Sequence, residues 1–424
     1  MTIQKVFYIL LTSQIHLSII KTIIKKEIVP MKKNIRLYYL YYALSDLLFI
    51  GPVIVIYLLS KGFSFTEILA LQSIFSIAIF ITEVPTGATA DKFGRKNSLI
   101  LGTVFRFLAM LLLIFGKSFL PLALSEILFA LGLSLKSGTD SALLYDTMLS
   151  LERESDYQRI AGKGHSNLYI TQAVASLLAG VMYSYDPHLP FIAATVFVAL
   201  NGLVCLFFSE PPIHGKTSKH GLGYYDQMKS SFSHVASQKK IIAVILFACV
   251  YITFSKTAFW FYTPYFVAVD INVVYYGLMF FLFNIIAAIS SRYNHLFIKA
   301  TRGRTMVVMN LMMVVSFAIL GTVTHAIGVM GIFLQQANRG LFKPVVDKYV
   351  NKHTASDKRA TVLSIVSLMS NLCAAVFMPL FGLVKDSLDV YKTHLTLAAT
   401  LLIATLFMSY TIKRLQKKAI GSAK

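Results

Sequence analysis

Charged residues are scarce in this chain, and acidic residues are the scarcest. Only 14% of its 424 residues are charged, and 19 acidic residues stand against 40 basic ones. A soluble domain carries about a quarter charged residues, so this composition excludes an ordinary water-soluble protein. Hydrophobic residues make up 56% of the chain, and its mean hydropathy is +0.67. The apolar runs are long rather than alternating, which predicts membrane-spanning helices.

Cysteine is also rare, and the histidines are not grouped. The three cysteines, Cys205, Cys249 and Cys373, lie inside apolar runs, which favours small buried side chains over a disulfide framework. No His-x-x-x-His or Cys-x-x-Cys pair occurs, and no nucleophile accompanies a general base. The sequence therefore predicts no enzyme activity, no metal and no cofactor.

The net charge of +21 is distributed as membrane topology requires. Basic residues concentrate in alternate connections between the apolar runs, which the positive-inside rule places in the cytoplasm. The opposite connections hold little beyond Lys61, Lys117 and Lys392. This asymmetry predicts two cytoplasmic termini and argues against nucleic acid as a partner.

Twelve stretches are long enough to cross a bilayer, since a spanning helix needs about 20 residues. The predicted spans are 37–60, 65–90, 97–116, 119–145, 166–184, 189–208, 241–268, 273–298, 304–324, 326–349, 361–386 and 391–412. The longest connection, 209–240, divides them six and six. This organisation predicts a cytoplasmic segment (1–36), an N-terminal bundle (37–208), a cytoplasmic linker (209–240), a C-terminal bundle (241–412) and a basic tail (413–424).

Two segments outside the spans keep alternative interpretations. Residues 1–30 do not resemble a signal peptide, because most of their lysines, Lys21, Lys25 and Lys26, follow the short apolar part and no small-residue cleavage site ends it. Either Met31 is the true start, or residues 1–30 form a loose interfacial helix. Within the linker, 224–236 has one apolar face, which is typical of a helix lying on the inner surface. A plain linker is an equally good interpretation.

One highly charged stretch lies between the second and third spans, and it reads Gly87-Ala-Thr-Ala-Asp91-Lys92-Phe93-Gly94-Arg95-Lys96. Gly87 lets two helices approach closely, and Gly94 gives the backbone freedom for a short reversal. The stretch resembles the signature loop of the major facilitator superfamily, Gly-x-x-x-Asp-Arg/Lys-x-Gly-Arg-Arg/Lys. The pattern agrees at Gly87, Asp91, Lys92, Gly94, Arg95 and Lys96.

This resemblance implies an all-α integral membrane fold of twelve helices in two pseudo-symmetric six-helix bundles. Such a fold has a central cavity and works by alternating access. The resemblance also implies that Asp146 pairs with Arg95 and latches the outward-facing state. Proton-coupled drug exporters carry an arginine early in span four, where this chain offers Glu126. They also carry a glycine–proline pattern that span five lacks, so the drug-antiporter subclass itself is unsupported. The variants Glu83-Val-Pro85-Thr-Gly87 and Ser141-Ala-Leu-Leu-Tyr145-Asp146 resemble a bacterial branch of the multidrug or metabolite type.

Ionisable side chains at membrane depth are functional candidates, because each costs a few kcal/mol there. In this chain they are Asp46, Glu83, Arg106, Glu126, Lys136, Asp140, Lys256, Arg292 and Arg339. The proton-coupling candidates are Asp46, Glu83 and Glu126. Four of the set share a similar depth and could form one network: Asp46, Glu83, Arg106 and Lys136.

Several of these residues have a structural interpretation beside the functional one. For Arg106 a structural ion pair with Glu83 is favoured over a role in transport. Lys136 and Asp140 are candidates for substrate binding, but they lie one helical turn apart and could simply neutralise each other.

The C-terminal half supplies the other substrate-binding candidates. Lys256 lies near Trp260 and other aromatic residues, which could stack on a substrate ring while the ammonium binds a carboxylate. An aromatic belt at the interface is the structural alternative. Gln335, Asn338 and Arg339 are too polar to face lipid, so we expect them to face the cavity.

Together these features predict a proton-coupled secondary transporter of a small organic solute that bears carboxylate or phosphate groups. Efflux by antiport is slightly favoured, because no periplasmic receptor domain is visible. The alternatives are an uptake symporter and a non-transporting sensor or scaffold. The expected setting is a monomer in the bacterial cytoplasmic (inner) membrane, whose partners are the bilayer, protons and the small-molecule substrate.

Overall fold

The computed structural model describes residues 31–45, 49–211, 238–354 and 359–421. Within these ranges, side chains are described except at 83–92, 359–361, 413 and 415–421. All regular elements of the described chain are helices.

Eight helices precede the linker. They are α1 (31–44), α2 (Ile54–Ser60), α3 (Phe65–Phe93), α4 (Arg95–Phe115), α5 (Phe119–Lys136), α6 (Thr139–Ser150), α7 (Tyr157–Tyr185) and α8 (Leu189–Phe207). Seven follow it: α9 (Lys239–Ala268), α10 (Tyr276–Arg292), α11 (Asn294–Thr301), α12 (Thr305–Thr322), α13 (Val329–His353), α14 (Arg359–Ser387) and α15 (Val390–Gly421).

Nine helical stretches of the described chain are long and apolar enough to cross a membrane. The other three predicted crossings are α1 with α2, α7, and α13. The first is interrupted before α2, where Gly51 and Pro52 stand and proline cannot donate a helical hydrogen bond. The helices α7 and α13 are long enough to cross but carry more polar side chains, which would need partners inside the protein.

Some helix ends differ from the predicted bounds. Span four bends at Ser137 and Gly138, where Gly138 has φ +74°, so α5 and α6 are separate helices. The signature stretch is mostly helical rather than a loop, because α3 continues through Asp91 to Phe93. The reversal is confined to Gly94, whose φ of +92° is accessible to glycine at no steric cost.

The helices of each half pack mainly on one another. In the first half α4 packs on α5 and α8, and α3 packs on α5. In the second half α12 packs on α15 and α13, α9 packs on α14, and α10 packs on α13. The halves meet where α3 packs on α14 and where α7 packs on α10.

The hydrogen bonds and closest backbone approaches between described residues of the two halves lie toward one end of the bundle. This end carries Lys61, Lys117 and Lys392, and we call it the outer end after its predicted orientation. Asp386 accepts hydrogen bonds from the Phe65 N–H and the Thr66 N–H, both at 2.8 Å. The Ser176 hydroxyl donates to the Gly277 carbonyl at 3.2 Å. These contacts hold α3 against α14 and α7 against α10.

Candidate functional site

Glu126 lies in the wall of a cavity of about 230 Å³ between the two halves. Its Oε1 accepts a hydrogen bond from the Gln72 amide at 3.1 Å. No described basic side chain forms an ion pair with this carboxylate. A carboxyl group with one neutral amide partner at membrane depth can exist protonated as well as ionised.

The rest of this Glu126 cavity is largely apolar and aromatic. The first half contributes Phe75 and Phe129, and α9 contributes Phe259 and Trp260 from the second half. Phe259 and Trp260 meet edge to face, with ring centroids 5.6 Å apart. The structure therefore brings two predicted site residues, Glu126 and Trp260, to one cavity from opposite halves. Such a position would sense relative movement of the halves.

Lys256 lines a second cavity, of about 300 Å³, within the second half. Its other polar lining comes from α14, with Ser367, Ser370 and Asn371, and from α13, with Lys343 and Asp347. Lys343 and Asp347 pair with each other at 3.1 Å. Among the described side chains, none forms an ion pair or a hydrogen bond with Lys256, so its ammonium is available to an anion. The structure thus separates Lys256 from Trp260, although they lie one turn apart on α9.

Two polar residues of α13 contact different neighbouring helices, α12 and α10. The Asn338 amide donates to the Met309 carbonyl of α12 at 2.7 Å, and its side chain is fully buried. The Asn338 Oδ1 is buried with no described partner, so its expected role at the cavity stays a prediction. The exposed Arg339 donates to Asn284 of α10 at 2.7 Å.

Two glutamines on α13 lie beside Arg339. Gln336 donates to the Tyr262 hydroxyl at 2.9 Å. Gln335 is 2% exposed, and neither atom of its amide has a described partner. An unsatisfied buried amide costs about 1–3 kcal/mol, so a water or a ligand would be expected to bind it.

Lys136 and Asp140 do not neutralise each other. The helix breaks between them, and Asp140 instead accepts hydrogen bonds from the Tyr42 hydroxyl at 2.9 Å and from the Ser141 N–H at 2.7 Å. Lys136 lies over the Tyr41 ring, 5.9 Å from its centroid. Arg106 is buried, and its guanidinium lies 5.7 Å from the centroid of the Phe129 ring.

At the end opposite to the outer end, the structure brings Arg95 and Asp146 together. Arg95 Nε lies 3.6 Å from Asp146 Oδ2. Sequence reasoning missed the second acid here, Glu210. Its carboxylate accepts hydrogen bonds from the backbone N–H groups of Arg95 and Lys96, at 2.6 and 2.8 Å, and so caps α4.

Asn34 joins the same cluster from α1. Its amide donates to the Ser209 carbonyl at 2.8 Å and to the Thr147 hydroxyl at 3.1 Å, and its Oδ1 accepts from the Ser209 N–H. These hydrogen bonds and the Arg95–Asp146 ion pair therefore join the ends of α1, α4, α6 and α8 beside the linker. In the sequence, the only indication of the Glu210 cap on α4 is that this acidic residue lies two positions after an apolar run.

Several predicted features lie outside the described residues or side chains. They are Asp46, the side chains of Glu83, Gly87 and Asp91, the Arg106–Glu83 pair, and the linker helix at 224–236. Within the described residues, no three His, Cys, Asp or Glu side chains come together as a group that could hold a metal ion.

Comparison with protein families matches the model of the Major Facilitator Superfamily to residues 38–298 and 245–424. The chain belongs to the Major Facilitator Superfamily. It is therefore a multi-pass membrane transporter, and the signature stretch at 87–96 is correctly attributed. The uncharacterised MFS-type transporter YxaM of Bacillus subtilis (strain 168) is 22% identical over 370 residues, which is 85% of this chain and 91% of that protein.

Solved structures support the same fold for this superfamily member. A crystal structure of the nucleoside transporter NupG has a TM-score of 0.74 at 13% identity, covering 91% of this chain and 99% of that one. A crystal structure of a D-xylose-proton symporter has a TM-score of 0.62 at 14% identity, covering 90% and 97%. At such low identity these likenesses show the fold alone. The predicted fold of two six-helix bundles is confirmed.

Proposed function

We propose that this superfamily member is a proton-coupled secondary transporter of small organic anions, and that Glu126 carries the coupled proton. The observation that carries the proposal is Glu126 itself, which lies between the halves with the Gln72 amide as its described polar partner. Two related bundles that rock about a central cavity expose such a residue to each side of the membrane in turn.

Proton coupling follows from how the surroundings of Glu126 would change during that movement. In a closed, largely apolar cavity an ionised carboxylate is costly, so the protonated form is favoured. When the cavity opens to water, the ionised form is hydrated and the proton can leave. Exposure to opposite sides in the two states therefore moves one proton per cycle.

The substrate class is inferred from the cations of the second half. Lys256 faces its cavity without a described partner, beside hydroxyl and amide groups that can hydrogen-bond an anion. Arg339 is exposed and is held by a neutral amide rather than by an acid. A carboxylate or phosphate would supply the charge that both lack, and charge-assisted hydrogen bonds contribute about 1.5–3 kcal/mol each.

Efflux by antiport is the direction we propose, with the protein working as a monomer in a bacterial inner membrane. The orientation follows from the excess of basic residues at the end that carries Arg95, which the positive-inside rule places in the cytoplasm. Both termini would then be cytoplasmic. Arg95 and Asp146 would stabilise one of the two states from that side.

The test is substrate-triggered proton movement in liposomes that contain the purified protein and a trapped pH-sensitive dye. A panel of mono- and dicarboxylates and sugar phosphates is added, together with neutral and cationic compounds of similar size. We expect some of the anions to trigger a pH change that protein-free liposomes do not show. Transport without any pH change, or a response confined to cations, would contradict the proposal.

The Lys256 contribution is tested with the same liposomes. We expect Lys256→Gln to raise the half-saturating concentration of an active anion about tenfold, since one charge-assisted hydrogen bond is lost. Lys392→Gln is the matched control, because Lys392 pairs with Asp389 at the outer end, 3.3 Å away and outside both cavities. An equal effect of both substitutions would exclude a specific role of Lys256.

A further inference from the structure

A large groove lies on the outside of the first half, apart from both cavities. Its volume is about 850 Å³, and its walls are α4 and α8, with Leu111, Ile114, Phe115, Ile192 and Val196. Phe115 is 73% exposed and Val196 is 51% exposed, so this face has no cover from the described protein. Because both helices reach the outer end here, the groove starts at the predicted membrane surface and descends into the apolar core.

The surface end of the groove is polar and carries more positive than negative charge. It is formed by Lys61, Lys117, Asp186 and His188. The Lys61 ammonium donates to the carbonyls of Leu113, Ile114 and Gly116 at 2.7, 2.8 and 3.1 Å, so its three hydrogens are used while its charge remains.

Among the described residues at this end, one cation and one ring nitrogen have no hydrogen-bond partner and can bind a ligand. The Nδ1 of His188 lies 3.1 Å from the Tyr57 hydroxyl, and the backbone N–H of His188 donates to Asp186 Oδ1 at 2.6 Å. Lys117 is exposed and has no described partner. The Lys117 ammonium can therefore bind an acceptor, and so can the His188 Nε2 in the tautomer in which Nδ1 accepts from the Tyr57 hydroxyl. An apolar trough that ends in such groups matches a molecule with an acyl chain and an anionic head.

We propose that this α4/α8 groove binds one anionic phospholipid, with its phosphate at Lys117 and His188 and an acyl chain along Ile114, Ile192 and Val196. Two ammonium groups against one carboxylate favour a net negative headgroup over a zwitterionic one. An exposed ion pair contributes up to about 1 kcal/mol, which is about fivefold in affinity. The inference depends on the membrane setting and not on the transported substrate.

The experiment is native mass spectrometry of the full-length purified protein, titrated with phosphatidylglycerol or with phosphatidylcholine of the same acyl chains. We expect the first phosphatidylglycerol to bind several-fold more tightly than the first phosphatidylcholine. Lys117→Gln should lower the affinity for phosphatidylglycerol about fivefold and leave the affinity for phosphatidylcholine unchanged. Lys117 is exposed, so its substitution should not disturb folding.

Lys392→Gln is the matched control, since Lys392 is an exposed lysine at the same end but outside the groove. Three results would each overturn the proposal. They are equal affinity for the two lipids, an equal loss in the Lys117 and Lys392 variants, and competition by glycerol phosphate at the concentration effective for the lipid. The last would indicate a site for soluble anions.

Discussion

At the residue scale, the ionisable side chains at membrane depth differ in how many hydrogen-bond partners they have. Asp140 has hydroxyl and backbone donors, whereas Glu126 has one described amide and Lys256 has no described partner. A charge held by several hydrogen-bond donors is costly to remove, whereas one with a single partner or none has room for a ligand or a proton to bind. This difference distinguishes Asp140, whose role in substrate binding stays a prediction, from the two residues that we assign to transport.

Glu210 is a residue whose contribution should be visible in stability. Replacing it by Ala removes two hydrogen bonds from the first turn of α4 and a negative charge from the helix N-terminus. We expect a loss of about 1–2 kcal/mol, measured as a lower apparent melting temperature in detergent. Glu154→Ala is the control, because Glu154 is exposed on a short turn. A melting temperature that is the same for both variants would mean that the Glu210 cap contributes nothing.

Residue-level prediction from the sequence worked where a pattern had a known spacing. Arg95 and Asp146 were paired through the superfamily resemblance, and the structure brings their side chains to 3.6 Å. Glu210 lies 115 positions from Arg95, and its contact is set by the return of α8 to that end. The polarity of Asn338 predicts a side chain that faces the cavity. That its amide nitrogen also donates to the Met309 carbonyl depends on the packing of α12 against α13, which the sequence does not show.

At the element scale, the helices could be read from hydropathy but their interruptions could not. Residues 119–150 are apolar enough for one crossing of 32 residues. The break at Ser137 and Gly138 lies within that run, and glycine alone does not indicate a break in a membrane helix. The consequence is functional, since the break removes Lys136 and Asp140 from a common helix face.

Two glycines allow a test of this break. The same Gly→Ala substitution should lower the stability of the protein at Gly138, and it should leave the stability unchanged or raise it at Gly162. Gly138 has φ +74° and no atom within 4 Å of an added Cβ, so Gly138→Ala costs only the backbone strain of about 1–2 kcal/mol. Gly162 lies inside α7, also with nothing within 4 Å, so Gly162→Ala should be neutral or stabilising by up to about 1 kcal/mol. Apparent melting temperatures of the two variants measure this. Equal shifts would show that α5 and α6 do not depend on the left-handed residue.

At the scale of the whole molecule, the described contacts between the halves hold the outer end together. Asp386 is central, because its carboxylate accepts from two backbone N–H groups and from the Thr66 hydroxyl at 2.5 Å. Arg95 and Asp146 both belong to the first half, so they cannot hold the halves together by direct contact. Any role of theirs as a latch must act through the shape of the first half, and it stays a prediction.

Asp386→Asn should shift the molecule toward an open outer end, since a neutral amide replaces a charge-assisted acceptor at the interface. The readout is labelling of Trp260→Cys by a membrane-impermeant maleimide added to cells, in a variant with Cys205, Cys249 and Cys373 replaced by Ser. We expect labelling several times faster with Asp386→Asn. Asp389→Asn is the control, because Asp389 pairs with Lys392 within the second half. Acceleration by Asp389→Asn as well would assign the effect to general loosening.

The most direct test of the account compares two modes of transport in liposomes that contain the Glu126→Gln variant. Glutamine keeps the size of the side chain and its contact with Gln72, but it cannot carry a proton. We predict that exchange of labelled for unlabelled anion persists, while uphill transport driven by a pH gradient is lost. Glu154→Gln should retain both modes. Uphill, pH-driven transport at the wild-type rate by Glu126→Gln would contradict the assignment of Glu126 as the proton carrier.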